Sequence, residues 1–155
     1  MAGSWNTTLK KLLQIFAAIL LLAVFTTGCA VNKATATVDP SAKLDTLKTV
    51  YVKQDPKDER GVGTLIADKF KSLGYTVSTG KEAPQGMDAI VTYVDKWFWD
   101  ITMYMIELTI VVREPKTDYP LATGNSLHTS LTRKSPPEMV EEVVSNIMKE
   151  GKVQK

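Results

Sequence analysis

The sequence has few of the residues that form covalent or metal-based cores. Its 155 residues include one cysteine and one histidine. A single cysteine excludes an intramolecular disulfide, so the fold is stabilised by ordinary packing. A metal site would depend on carboxylates, and no carboxylate cluster has the spacing of a calcium loop or a zinc site. We therefore expect neither a cofactor nor a metal.

The sequence also lacks an excess of charge of one sign. Lys and Arg together number 19, and Asp and Glu number 17. The positive excess equals the two charges of Lys10 and Lys11, so the remainder of the chain is formally neutral. A neutral domain with scattered basic residues has no long-range field that attracts nucleic acid. The sequence predicts no nucleic-acid partner.

The N-terminal segment carries the strongest pattern in the chain. A basic start at residues 10–11, an apolar run over 12–25 and small residues over 26–28 precede Cys29. This order is typical of a secretory signal peptide and its cleavage site. The pattern resembles the bacterial lipoprotein family, whose lipobox ends in a small residue followed by cysteine, as Gly28 and Cys29 do here. Thr26 stands where that family usually has an aliphatic residue.

The resemblance implies a signal peptide over residues 1–28 and lipid attachment at Cys29. Acylation would also remove a lone thiol from an oxidising compartment. In the same family, a residue other than aspartate after the cysteine, here Ala30, implies anchoring in the outer membrane on the periplasmic face. Two alternatives remain open: an ordinary secreted protein and an uncleaved anchor. An uncleaved anchor needs about 20 apolar residues, so the run would have to extend to Ala30.

The mature part has room for one domain. Removing residues 1–28 leaves 127 of the 155 residues. We predict a lipidated, flexible tether over 29–46, one domain over 47–151 and a short tail over 152–155. Hydrophobic periodicity predicts strands over 47–53, 75–79, 88–98, 101–113 and 121–131, with helices over 62–73 and from Pro136 to Gly151.

This element order, β-α-β-β-β-β-α, predicts an α+β fold. Each helix has one apolar stripe, and we expect both helices to pack on one face of a mainly antiparallel sheet, which makes a two-layer sandwich. Gly61 and Gly63 are expected to allow close packing of the first helical turn rather than to cradle phosphate, because the full glycine pattern is missing. We also predict a bulge at Gly124, and Glu141 and Glu142 on the solvent face of the last helix.

A hairpin turn with three consecutive aromatic residues is the first candidate for a functional surface. Successive side chains of a strand point to opposite faces, so at least one of these aromatics is expected to be exposed. We predict a surface for a partner or an apolar ligand, formed by Trp97, Phe98, Trp99, Met103 and Met105. The alternative is that Trp97 and Trp99 cap the end of the core.

The single histidine is the second candidate. Ser126, His128 and Ser130 alternate along one strand face, but no nucleophile-elbow sequence is present. Nucleophilic catalysis also needs an orienting carboxylate and an oxyanion site. We interpret His128 as an ordinary strand residue and predict that the protein is not an enzyme.

The mature domain has a resemblance of its own, which spans about residues 47–149 and rests on element order and on the glycines around the first helix. It resembles small envelope domains: the lipoprotein partner of the lipopolysaccharide-inserting outer-membrane barrel, the N-terminal domain of TolB, and small proteobacterial lipoproteins. The run Trp97–Tyr104 (WFWDITMY) is most similar to the last group. The resemblance implies a non-catalytic envelope module with a protein partner. The alternatives are an accessory lipoprotein of a lipid or polymer transport system that binds an apolar ligand, and an enzyme. The oligomeric state is left open.

Overall fold

The computed structural model describes residues 7, 9–17 and 31–153. Residues 9–17 are helical, and their large apolar side chains are exposed. In these described ranges, no helix combines the length and the apolar character that crossing a membrane requires. Most of the predicted signal peptide, the lipidation site Cys29 and Ala30 lie outside the described residues. The lipoprotein assignment therefore stays a prediction.

Residues 31–153 form six strands and two long helices. They are β1 (Asn32–Val38), β2 (Thr49–Lys53), α1 (Val62–Ser72), β3 (Thr76–Gly80), β4 (Ala89–Trp99), β5 (Met103–Arg113), β6 (Pro120–His128) and α2 (Pro136–Val153). Short 3₁₀ helices cover Leu44–Thr46 and Ser130–Thr132. The predicted α+β class is confirmed, and all seven predicted elements are present.

The six strands form one mixed sheet with the order β1-β6-β5-β4-β2-β3. β2 is parallel to β3 and to β4, and the remaining neighbours are antiparallel. A hairpin joins β4 and β5, and the direction of each strand relative to this pair determines which strand ends lie at the hairpin turn. The carboxyl ends of β2, β3, β4 and β6 and the start of β1 all lie there. We call this the hairpin end of the domain.

Strand β1 corrects the prediction of a flexible tether over 29–46. It pairs with β6 from Asn32, opposite His128, to Val38, opposite Ala122, and Val38 is buried. The tether prediction is therefore wrong for residues 31–46. Alternating alanine and threonine give β1 only a weak hydrophobic period, because its inward positions are small. The pairing with β6 is what makes the segment a strand.

Both helices contact the sheet face that carries the buried core side chains. A Cβ atom at Gly124 in β6 would lie 2.7 Å from Val143 and 2.9 Å from Ile147 of α2. A Cβ at Gly63 in α1 would lie 2.5 Å from the Tyr93 hydroxyl of β4. The close packing predicted for Gly63 is confirmed. The bulge predicted at Gly124 is wrong, because β6 keeps its register with β5 there and the glycine instead admits α2.

The ends of α2 combine one confirmed prediction with one correction. The Ser135 amide and hydroxyl donate to Glu138 Oε2 at 2.8 and 2.6 Å, so the helix begins at the predicted cap. The helix does not end at Gly151 but continues to Val153. A Cβ at Gly151 would lie 3.2 Å from Leu44 Cδ1. Gly151 therefore admits the 3₁₀ helix beside α2, and the predicted tail begins within the helix.

Candidate functional site

The turn between β4 and β5 presents a cluster of exposed apolar side chains. Trp99 is 64% exposed and Ile101 is 85% exposed, while Phe98 and Met103 are about half exposed. Leu131, which follows β6 at the same end, is 78% exposed. We call these five side chains the tip surface. Clustered exposed apolar groups are typical of surfaces that contact protein or lipid.

Two residues predicted for this surface point elsewhere. Met105 is 1% exposed and belongs to the core, and Trp97 packs partly buried against it. The cause is a bulge in the hairpin, where Lys96 pairs with Glu107 but Trp97 pairs with Met105. The extra residue, Ile106, shifts the alternation of faces. The exposed position predicted for Met105 is corrected, because strict alternation along β5 does not hold.

A charged contact fixes the hairpin turn to the segment after β6. Arg133 Nη2 lies 2.7 and 2.9 Å from the two carboxylate oxygens of Asp100, and Ser130 Oγ donates to the same carboxylate at 2.5 Å. The hydrogen bond from Ser130, together with the charge of Arg133, lowers the pKa of Asp100 to about 2. The Arg133 guanidinium also lies 4.3 Å from the ring centroid of Tyr104. These contacts hold Leu131 beside the turn.

The chain enters the folded domain at the same end. The Val31 amide donates to Thr129 Oγ1 at 3.0 Å, and the Thr129 amide donates to the Val31 carbonyl at 3.1 Å. Thr132 Oγ1 donates to that carbonyl at 2.7 Å. The segment that binds Asp100 therefore also binds Val31. The start of the domain and the tip surface are neighbours.

A buried polar cluster joins β6 to α2. Ser126 and His128 are 0% exposed. Ser126 Oγ donates to Glu142 Oε2 at 2.6 Å, and His128 Nε2 lies 2.7 Å from the same oxygen. Lys134 pairs with the other carboxylate oxygen. The predicted solvent position of Glu142 is therefore wrong, whereas Glu141 is exposed as predicted.

The geometry of this cluster favours a structural role over a catalytic one. Burial acts to raise the pKa of Glu142, but hydrogen bonds from His128, Lys134 and Ser126 outweigh it and lower the pKa to about 2. A hydrolytic triad needs a serine that donates to the imidazole, with the carboxylate behind it. Here the serine donates to the carboxylate itself. Within the described part of the chain, His128 Nδ1 has no hydrogen-bond partner.

The N-terminus of α1 is occupied by a side chain of the protein. Asp58 accepts hydrogen bonds from the amides of Val62 at 3.0 Å and Gly63 at 2.7 Å, and from the Tyr93 hydroxyl at 2.8 Å. Burial acts to raise the pKa of Asp58, and these hydrogen bonds lower it below its usual value. Gly61 adopts a left-handed φ of 73°, which glycine tolerates. Asp58 thus takes the place that a bound anion would need.

A cleft lies at the opposite end of the sheet. Its volume is about 620 Å³, and it is lined by residues 83–88, 114–116 and Ile90. Met87 and Ile90 supply apolar surface, and Glu114 and Lys116 supply charge. Small ligands occupy clefts of roughly 300–1,000 Å³. Among the described residues, no three His, Cys, Asp or Glu side chains come together as a metal site.

Comparison with known proteins finds solved structures that are similar to this chain in fold. No family model matches this sequence, and no curated protein matches it. The PelC dodecamer from Paraburkholderia phytofirmans is similar in structure. A point variant of PelC has a TM-score of 0.55 and 12% identity, and the alignment covers 76% of this chain and 98% of that chain. PelC in a second crystal form gives a TM-score of 0.54 at 12% identity, with the same coverage.

At 12% identity the likeness to PelC is one of fold alone. A PDZ domain protein from Parabacteroides distasonis has a TM-score of 0.47 and 10% identity, covering 80% of this chain and 37% of that chain. That similarity is too low to support a functional conclusion.

Proposed function

We propose that this chain is a membrane-anchored lipoprotein that faces the periplasm and serves as a non-catalytic binding or assembly module of the cell envelope. The observation that carries the proposal is the pattern of residues 10–29, which ends in Gly28 and Cys29. Acyl chains on Cys29 would anchor the protein, since each buried methylene contributes about 0.8 kcal/mol and two or more chains anchor stably. By the resemblance to lipoproteins, Ala30 after Cys29 favours anchoring in the outer membrane.

A binding role rather than a catalytic one is supported by the hydrogen bonds of the candidate catalytic groups. Ser126 and His128 on β6 are both hydrogen-bonded to Glu142 on α2.

We propose a two-layer sandwich in which α1 and α2 cover one sheet face. The opposite face, which we call the open sheet face, carries Thr92, Val94, Thr109, Val111 and Thr123. Val94 is 56% exposed there, and this face is a candidate contact surface for an envelope protein.

The anchor is tested by changing the lipidation site. Cys29→Ser should leave the precursor unacylated and remove the protein from the outer-membrane fraction. Wild-type fractionation of Cys29→Ser would rule out lipid attachment at this residue. Ser41→Ala, a change on the exposed surface of the same domain, serves as the control and should fractionate normally.

The partner surface is tested by co-purification from crosslinked envelopes. Val94→Arg places a charge on the open sheet face, and Leu73→Arg places the same charge on an exposed apolar residue at the end of α1. We expect a protein recovered with the wild type to be lost with Val94→Arg and retained with Leu73→Arg. The same recovery from all three proteins would show that the open sheet face is not the contact.

A second candidate is assembly of this chain with copies of itself. It is supported by the dodecameric state of PelC, which shares the fold. Light scattering of the detergent-extracted protein would distinguish the two candidates. A single mass of several chains supports self-assembly, and a mass of one chain at all concentrations excludes it.

The third candidate is an accessory subunit that binds an apolar ligand in envelope lipid or polymer transport. The cleft beside Met87 and Ile90 favours it, because its volume of about 620 Å³ suits such a ligand. Native mass spectrometry of the membrane-extracted protein would detect a bound lipid. Ile90→Glu should release that lipid, and retention of the lipid would exclude this cleft as its site.

A further inference from the structure

The tip surface lies at the end of the domain that is nearest to the proposed anchor. Val31 is bound by Thr129, and Arg133, four residues further along, is bound to Asp100 in the hairpin turn. Val31 is two residues from Cys29. Two residues of extended chain span at most about 7 Å. A domain anchored through Cys29 therefore has its hairpin end close to the bilayer.

The side chains at this end suit the boundary between lipid and water. Ile101 and Leu131 are the most exposed members of the tip surface, at 85% and 78%. Trp99 is 64% exposed, and tryptophan concentrates at membrane interfaces, where its ring is apolar and its N–H stays hydrated. Both carboxylate oxygens of Asp100 are paired with Arg133. The turn thus presents apolar groups without an uncompensated negative charge.

We propose that the tip surface inserts into the interfacial region of the bilayer that holds the Cys29 acyl chains. This inference rests on the proposed lipoprotein function and names lipid as the occupant of the tip surface. The covalent anchor and the tip surface then form two membrane contacts at one end of the domain. Two membrane contacts fix the orientation of the domain relative to the bilayer, whereas a single flexible anchor does not. The open sheet face is left accessible from the side, and the cleft at Met87 lies at the far end.

The test uses the acylated mature protein, which begins at Cys29, in vesicles of phosphatidylethanolamine and phosphatidylglycerol that contain lipids brominated at defined acyl positions. Two of the three tryptophans of the chain, Trp97 and Trp99, follow Cys29. Trp97→Phe leaves Trp99 as the fluorophore. Trp99→Phe leaves Trp97, which is partly buried with Arg60 at 4.4 Å from its ring centroid, and is the matched control. Flotation of the vesicles is measured on the same samples.

We expect Trp99 emission to shift to shorter wavelength in vesicles and to be quenched most strongly by bromine near the headgroups, and Trp97 emission to be unaffected. Flotation with unquenched Trp99 overturns the membrane contact and leaves the anchor intact. A shift without quenching also overturns it, because it indicates a second copy or another protein at the tip surface. Failure to float removes the anchor and overturns both proposals, so the two failures are distinguishable.

A second variant tests the contact without altering the core. Ile101→Glu places a charge at a position that is 85% exposed. We expect the thermal midpoint and flotation to match the wild type, because folding and the acyl anchor do not depend on this side chain. Quenching of Trp99 should fall. Undiminished quenching in Ile101→Glu would overturn insertion of the turn.

Discussion

The Val31 amide donates to Thr129 Oγ1 at 3.0 Å, across 98 residues of sequence. This hydrogen bond begins the pairing of β1 with β6 and places the start of the folded domain beside the hairpin turn. The separation from Cys29 is only two residues. An anchored domain therefore has little freedom to move away from the membrane, in contrast to the long tether that the sequence predicts.

Lengthening the segment between Cys29 and β1 should weaken the membrane contact of the tip surface. An insertion of about ten Gly and Ser residues after Ala30 adds a mean span of roughly 18 Å. We expect fractionation and the thermal midpoint to be unchanged, and Trp99 quenching in brominated vesicles to decrease. Equal quenching with and without the insertion would mean that the tip surface binds lipid independently of the anchor's length.

Replacing Glu142 should remove part of the acid sensitivity of the fold. The pKa of Glu142 is lowered from 4.5 to about 2 in the folded state. Its stabilisation is therefore present above the unfolded pKa and is lost as the pH falls toward the folded pKa. Between about pH 5 and pH 2, the free energy of unfolding of the wild type should fall by roughly 3 kcal/mol more than that of Glu142→Gln.

Urea unfolding across this pH range measures the difference. Glu82→Gln, in an exposed loop, is the matched control and should follow the wild-type pH dependence. If the free energy of unfolding depends on pH in the same way for the wild type and Glu142→Gln, the cluster around His128 does not stabilise the ionised carboxylate.

Gly124→Ala should destabilise the contact between β6 and α2. The added Cβ would lie 2.7 Å from Val143 Cγ1, and overpacking of this kind costs about 1–3 kcal/mol. Val143→Ala in the same chain should relieve the closer contact, while Ile147 still lies 2.9 Å from the added Cβ, so a double-mutant cycle should show a coupling energy of about 1 kcal/mol. If the effects of Gly124→Ala and Val143→Ala on the free energy of urea unfolding are additive, α2 moves away from residue 124 and the predicted clash with Val143 does not occur.

Asp58→Ala should destabilise α1 through two losses. The substitution removes the acceptor of the Val62 and Gly63 amides and leaves the buried Tyr93 hydroxyl without its acceptor. Loss of a helix cap alone costs about 1 kcal/mol, so we expect a reduction of 1 kcal/mol or more, measured by urea unfolding. Glu59→Ala, the exposed neighbour, is the control. Similar effects of the two variants would contradict the capping role of Asp58.

The features that the sequence predicted well depend on nearby residues. The Ser135 and Glu138 contact spans three positions, and the hairpin of β4 and β5 is set by one turn. Strand β1 was missed because its partner β6 is about 90 residues away. The burial of Met105 was missed because a bulge in β5 reverses the faces. Neither feature leaves a local hydrophobic period in the sequence.

The candidate sites divide in the same way. Exposure of at least one of the three consecutive aromatics was predicted, because alternation in a hairpin prevents all of them from facing inward, and Phe98 and Trp99 are exposed. The role of Glu142 was not predicted, because its partner His128 lies on β6, beneath α2. A charged residue on the apparent solvent face of a helix gives no signal of a buried partner on another element. Leu131 was not predicted as part of the tip surface, because the contact of Arg133 with Asp100, which holds it beside the hairpin turn, joins distant parts of the sequence.

The intact mass of the protein extracted from membranes tests the lipoprotein proposal most directly. We predict a chain that begins at Cys29 and carries the added mass of its acyl groups, with residues 1–28 removed. A chain that retains residues 1–28, or one that begins at another residue without added mass, would contradict the anchor on which both proposals depend.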